Sequence, residues 1–410
     1  MKSFKEFLTD AYKDNKNTHM THIEDLVIYG GVNGTRDAIE FLRSMRDMLS
    51  GHQSAAIDTT VKWDGAPAIF VGLDPADKKF FIAKKGLFAK TPKIYKSEED
   101  IDADTSGDLA VKLKVAFNEL KNVGITNVIQ GDMMFTKSDL KTETIDGVKY
   151  LTFQPNTIVY AVPVGSELAK TIGKAKMGVV FHTTYTGTDI QSMKASFGAN
   201  LSSLKSTPSV WMQDASYRDL SGTVSFTSTD SKELTAILSK AGTIFQKIAG
   251  STLRAVEQNA ALARMIEQFN NTLVRDGKRI GNTKQHVKNL IAWFDAKFEK
   301  EREQRSSEKG KAIVTARQED LMRFFAPANM ANLDLMFQLQ NTLVDAKMFI
   351  ISKLDKIQQT STFVRTKDGF KVTNPEGYVA IDHTKGAVKL VDRLNFSYLN
   401  FSPEIIKGWH

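Results

Sequence analysis

"TVKWDGAPAIFVG", residues 60–72, sets a lysine, an aromatic residue, an aspartate and a glycine directly before an apolar run. Lys62 there is either an ordinary charged residue closing a strand or a nucleophile held by the turn that follows. A lysine attacks only as the neutral amine, and a reference pKa of about 10.4 leaves very little of that form at neutral pH. Nearby positive charge, or burial, is what releases the proton. Gly65 permits a tight turn and the close approach of a ligand. So short a motif leaves both readings open, and the rest of the chain decides between them.

From about residue 57 to 190 the pattern is one of short β-branched and aromatic runs separated by Gly, Pro, Asn and Asp: "AIFVGL", "KFFIAKK", "NVIQGDMMF", "YLTFQ", "TIVYAVPV" and "MGVVFHTTYT". One helix, near "SGDLAVKLKVAFNELKNVG", interrupts them. Upstream, residues 1–56 read as a helical segment containing "SFKEFLTDAY" and "TRDAIEFLRSMRDML", with Thr35 as N-cap of the second helix. The "YGGVNGT" between them lacks the Lys-Ser/Thr ending of a phosphate loop and reads as a capping loop.

Downstream, helical periodicity returns. Leu234, Ile237, Leu238, Ala241, Phe245 and Ile248 form one stripe, and Val287, Leu290, Ile291, Phe294 and Phe298 another. Strand patterning resumes in "STFVRTKDGFKVT", "GYVAID" and "GAVKLVDR". The expected fold class is α+β with antiparallel sheets. The expected divisions are a helical segment (1–56), a β-rich core (57–190), an inserted helical domain (191–360) and C-terminal strands that rejoin the core (361–410).

The chain has 410 residues and a formal charge of +8, which suits a polyanionic partner such as nucleic acid. Residues 251–330 hold 15 Lys or Arg against 10 Asp or Glu, so much of that charge lies on the insert. There is no cysteine, which excludes disulfides, thiolate metal sites and a cysteine nucleophile. A hard cation on oxygen ligands, Mg²⁺ for instance, is the natural metal. No run approaches a membrane span and the opening "MKSFKEFLTD" lacks a secretory pattern, so the expectation is a cytoplasmic protein without membrane contact. His19 and His22 in "THMTHIED" have no evident third ligand and read as surface or capping residues.

The order of short motifs around Lys62 resembles the covalent nucleotidyltransferase superfamily of ATP-dependent RNA and DNA ligases and capping enzymes, and is closest to bacteriophage RNA ligases. Lys-x-Asp-Gly is matched by Lys62, Trp63, Asp64 and Gly65. "AKKG" matches the next motif loosely, with Lys84 for the family's arginine. An apolar strand ending in Gly-Glu is matched by "VIQGD", with Asp132 for glutamate, at a separation from Lys62 within the range such ligases show. Tyr160 in "TIVYAVPV" stands where the family stacks an aromatic on the base. "PEGYVA" supplies Glu376, and "GAVKLV", the next strand run, supplies Lys389. The whole chain also resembles proteins of large tailed phages, which implies a viral source and a host cytoplasm.

The resemblance implies a nucleotidyltransferase (ATP-grasp-like ligase) core, with ATP and Mg²⁺ as cofactors. Lys62 would form a lysyl-adenylate with Lys84, Glu376 and Lys389 acting in catalysis. Trp63, Asp64, Gly65, Asp132 and Tyr160 would bind the nucleotide, and Asp132 and Glu376 the metal. AMP would pass to a 5′-phosphate that a 3′-hydroxyl then attacks. Pro67 replaces an arginine of the family pattern, and Val391 replaces the second lysine of the last motif unless Lys385 or Arg393 substitutes. The segment after Lys389 is too short for the β-barrel that DNA ligases and capping enzymes append, which favours RNA over DNA as substrate. A DNA ligase, or an inactive nucleic-acid-binding protein on the same fold, stays open. So does a bland role for each residue alone: Asp64 and Asp132 as turn formers, Tyr160 as a core aromatic.

Overall fold

A computed structural model describes residues 21–50, 57–215, 226–355, 361–382 and 386–408. The β-branched runs assemble into three sheets, an α+β architecture. A six-stranded sheet follows the order β10-β8-β4-β2-β3, with β9 also on β8. Its members are β2 (Ala68–Leu73), β3 (Phe80–Ala83), β4 (Val128–Thr136), β8 (Met177–Thr186), β9 (Lys194–Phe197) and β10 (Val210–Asp214). A five-stranded sheet runs β12-β11-β7-β6-β5. It joins β5 (Lys141–Ile145), β6 (Val148–Phe153) and β7 (Ile158–Pro163) to β11 (Ser361–Thr366) and β12 (Gly369–Val372). A three-stranded sheet places β13 (Gly377–Asp382) between β1 (Ile57–Lys62) and β14 (Gly386–Leu390). Among the described residues all strand pairings are antiparallel except β10 with β8.

The strands expected from the sequence are present, and those after residue 361 do return to sheets begun before residue 165: β11 pairs with β7, and β13 with β1. The expected start of the insert at 191 is too early. Lys194–Phe197 and Val210–Asp214 extend the six-stranded sheet, and among the described residues α-helices resume at Ser228. Both strands are short edge additions, without the apolar alternation by which a strand is read.

The helices are α1 (Leu26–Tyr29), α2 (Gly31–Leu49), α3 (Glu98–Asp104), α4 (Gly107–Leu120), α5 (Glu167–Lys174), α6 (Ser228–Lys247), α7 (Gly250–Gln258), α8 (Ala260–Arg275), α9 (Thr283–Glu303), α10 (Glu308–Met322), α11 (Pro327–Leu354) and α12 (Arg393–Phe401). Thr35 is not an N-cap. The helix already begins at Gly31, and the Thr35 hydroxyl donates to the Gly31 carbonyl at 2.7 Å. "SFKEFLTDAY", His19 and Lys385 lie outside the described residues.

The N-terminal helices and the insert are one hydrophobic body rather than two. Phe41, Leu42, Leu234, Phe294, Phe337 and Leu343 share a single buried cluster, along with the two stripes read from the sequence. The same cluster takes in Tyr378 and Ala380 of β13 and Val388 and Leu390 of β14. Successive strand residues point to opposite faces, so the small sheet gives one face to the helices and turns the other away. Burial of one large apolar side chain stabilises by roughly 1.5–3 kcal/mol, so these contacts bind the small sheet firmly to the helical body. The Tyr378 hydroxyl adds a 2.8 Å bond to Asp355 just beyond α11. Among the described residues no helix is long and apolar enough to cross a membrane.

Candidate active site

The antiparallel register of β1 and β13 sets Lys62 opposite Gly377, which brings the preceding residue, Glu376, beside the lysine. Lys62 Nζ and Glu376 Oε1 are in direct ion-pair contact. Gly377 has φ +141°, and a Cβ there would lie 2.6 Å from the Leu390 carbonyl. Only glycine lets β13 start so close to β14, which explains the Glu-Gly pair. Lys389 lies opposite Val379 on β14, on the face turned away from the helical body, and its amide donates to Thr21 O at 3.1 Å. Burial pushes its ammonium down, helped by the charge of Lys62 and opposed by that of Glu376.

The turn after Lys62 presses this group onto the six-stranded sheet. A Cβ at Gly65 would lie 2.5 Å from Asp132 Cβ, so the glycine admits close approach of the chain's own strand. Ala66 N–H donates to Met133 O at 2.9 Å, Met133 N–H to Pro67 O at 3.0 Å, and Ala68 then pairs with Asp132. Asp132 thereby meets the electrostatic field of Lys62. Its carboxyl is pushed up to about 7 by burial, with Lys62 pulling against that, Asp64 adding to it and Lys85 opposing it. Glu376 is likewise pushed up to about 7, by burial first, against the pull of Lys62.

His182, which sequence reasoning passed over, joins the group from β8. Its Nε2 is 3.7 Å from Asp132 Oδ2 and its Nδ1 lies 2.8 Å from Thr183 Oγ1. Burial, then the charge of Lys62, holds it down at about 4, so the ring is neutral at neutral pH. A register shift between Gln130 and Gly131 in the β4–β8 pair sets which β8 residues adjoin Asp132, and no sequence period shows such a shift.

Three of the residues expected at the nucleotide make contacts within the chain. Asp64 is buried, and its carboxylate accepts from Asn156 Nδ2 at 2.8 Å and from the Thr157 and Ile158 amides at 2.8 and 2.9 Å. It fastens the turn before β7, the turn-forming role left open above. Gly65 makes room for Asp132, as described. Tyr160 is a core aromatic, 3% exposed, packed between Phe153 at 5.4 Å and Trp63 at 5.0 Å. Its hydroxyl accepts the Asp64 amide at 2.7 Å, so it supports Trp63 and the turn from beneath.

Lys84, the residue read from the motif order, is directed toward other partners. Its ammonium lies 3.4 Å from Asp104 and 5.8 Å from the Tyr95 ring centroid, and it is Lys85 whose charge acts on Asp132. The two lysines follow the end of β3, where strand alternation no longer predicts direction. Val391 is buried, so the position of the second lysine of the last motif is taken by an enclosed apolar side chain. Arg393 does not substitute, because its guanidinium grips Asp25 at 2.9 and 3.1 Å.

Among the described residues no three His, Asp or Glu side chains stand in an arrangement that would by itself hold a metal. Mg²⁺ asks for less, since one or two carboxylates plus substrate phosphates and water suffice. Asp132 and Glu376 are the carboxylates of this cluster that would hold one, and burial disfavours the ionised form of each.

The structure thus defines an α+β protein with a half-buried lysine–carboxylate cluster where two sheets meet. Residues 17–405 match the family described as a family of unknown function (DUF6267), and the chain belongs to that family. No curated protein and no solved structure matches the chain.

Proposed function

We propose that the protein is an ATP-dependent nucleotidyltransferase that joins nucleic-acid ends, RNA in the first instance, through AMP carried on Lys62. The observation that carries this reading is the contact of Lys62 with Glu376, a carboxylate already biased toward holding a proton. Glu376 takes a proton from the Lys62 ammonium, and the free amine attacks the α-phosphorus of ATP. A P–N bond forms, the α–β P–O bond breaks and pyrophosphate leaves. Lys389 and Lys85 offset charge on the phosphates. Half-buried Trp63, backed by Tyr160, is the aromatic surface available to a base. Mg²⁺, held by Asp132 and by the phosphates themselves, would screen the phosphate charge. AMP then passes to a 5′-phosphate, and a 3′-hydroxyl displaces it.

The loss of a phosphate-binding cation at Val391 favours a second reading, a nucleic-acid-binding protein that no longer adenylates. Incubation with ATP labelled at the α-phosphate separates the two. Label surviving denaturation on wild type and absent from Lys62→Ala supports the enzyme; no label under varied metal and pH, or equal labelling of Lys62→Ala, sinks it. Joining assays on single-stranded RNA, nicked RNA and nicked DNA then select the substrate, and sealing of nicked DNA alone would overturn the RNA assignment.

A further inference from the structure

His182 is the residue skipped on β8 where Thr183 pairs with Gln130 and Phe181 with Gly131, and a bulge of this kind re-aims the side chain it carries. The ring is turned toward β4, with Nε2 3.7 Å from Asp132 Oδ2. That separation is too long for a hydrogen bond. Among the described residues neither Nε2 nor the Asp132 carboxylate has a hydrogen-bond partner, although both side chains are half-buried.

The other ring nitrogen is held. Nδ1 lies 2.8 Å from Thr183 Oγ1, and the tautomer that donates Nδ1–H to this hydroxyl leaves the Nε2 lone pair facing Asp132. A ligating histidine is ordinarily fixed in this way, by an outer bond from its second nitrogen. With bonds of about 2.1 Å to each atom, a shared ion would see Nε2 and Oδ2 about 120° apart, an angle that four- and five-coordinate ions accept. An octahedral ion needs the two atoms about 3.0 Å apart, which a small rotation of either side chain supplies.

We infer that His182 Nε2 and Asp132 Oδ2 together bind a divalent transition-metal ion, in preference to Mg²⁺. An imidazole nitrogen suits the later first-row metals, whereas Mg²⁺ keeps to oxygen ligands and gives up water reluctantly. Two protein ligands leave the remaining positions to water and substrate oxygens, as a metal acting on phosphates requires. The charge of Lys62 acts on both groups and that of Lys85 on Asp132, and the carboxylates of Glu376 and Asp64 offset them. The inference rests on the reading of Asp132 as a metal ligand, to which it adds a second ligand and the class of ion. It does not require AMP on Lys62.

The test uses the untagged full chain with Co²⁺ as the probe. Visible absorption should show one saturable equivalent, and proton magnetic resonance a hyperfine-shifted, exchangeable signal from the ring N–H of the bound histidine. His182→Gln should remove that signal and weaken binding by at least the roughly tenfold that loss of an outer partner costs. Asp132→Asn should weaken binding likewise, and a large excess of Mg²⁺ should leave Co²⁺ in place. Circular dichroism confirms that each variant is folded, and if His182→Gln is not, Asp132→Asn takes its place. No saturable Co²⁺ binding at millimolar concentration overturns the inference, as does a wild-type complex without the shifted N–H signal. A signal that persists in folded His182→Gln, binding unchanged in Asp132→Asn, or displacement by equimolar Mg²⁺ overturns it too. Labelling from the α-phosphate reports on Lys62 and the shifted N–H on His182, so either reading can fail while the other stands.

Discussion

Asp64 Oδ2 accepts the backbone N–H of Ile158 at 2.9 Å, and so ties the turn that follows the candidate nucleophile to the first residue of β7. With the Thr157 amide on the same oxygen, two backbone donors depend on one carboxylate. Asp64→Ala strands both in a buried setting and should lower stability by about 2–4 kcal/mol. Asp64→Asn keeps one acceptor oxygen and should lose about half of that. Urea denaturation midpoints decide it, and an alanine variant as stable as wild type would return Asp64 to the ligand contacts.

Adenylation should rise with pH across a limb centred near 7, because Glu376 accepts a proton only when ionised. Asp132 and Glu376 influence each other, so the limb belongs to the pair. Glu376→Gln should flatten it and slow label uptake by about 10²–10⁴-fold. A label-uptake profile that keeps its wild-type limb in this variant would exclude Glu376 as the base.

Stability has the opposite trend. Both carboxyls have folded pKa values raised to about 7, above an unfolded value of roughly 4. The folded state then holds more protons than the unfolded state between these limits, so stability falls as pH rises from about 4 to about 7. Replacing both with their amides should reduce that slope, measured by denaturation at each pH.

Lys85→Ala should slow adenylation about tenfold or more, through loss of a cation that acts on Asp132, while Lys84→Ala should leave it near wild type. The reverse order in rapid-quench assays would restore the register read from "AKKG".

Trp63→Ala should raise the KM for ATP about tenfold, the cost of losing a stacking surface worth about 1–3 kcal/mol. Tyr160→Phe should leave that KM unchanged and instead lower stability by about 1–2 kcal/mol, since the Asp64 amide loses its acceptor. An altered KM with unaltered stability in Tyr160→Phe would contradict its placement in the core.

Strands with apolar alternation and helices with apolar stripes were legible in the sequence because their partners do not alter their periods. Lys62, Asp132, Glu376 and Lys389 were legible through motif order, and the pairing of β1 with β13 and of β2 with β4 brings them together. The roles of Asp64 and Tyr160 were not, because the groups they bond lie in distant parts of the sequence. Lys84 and Lys85 differ only in direction at a strand end, and His182 depends on a register shift. The union of the N-terminal helices with the insert rests on packing between segments separated by the whole first part of the β-rich core, which no local pattern records.

That union bears on how the chemistry is assembled. Lys62, Glu376 and Lys389 ride on a sheet whose other face is sealed into the helices, whereas Asp132 and His182 belong to the six-stranded sheet. The groups proposed to react therefore rest on two separate foundations joined through residues 63–67. Loosening the helices would carry Lys62, the proposed nucleophile, away from Asp132 without altering any side chain at the site. What the sequence presents as an accessory insert is, mechanically, the mount that holds the lysine in place.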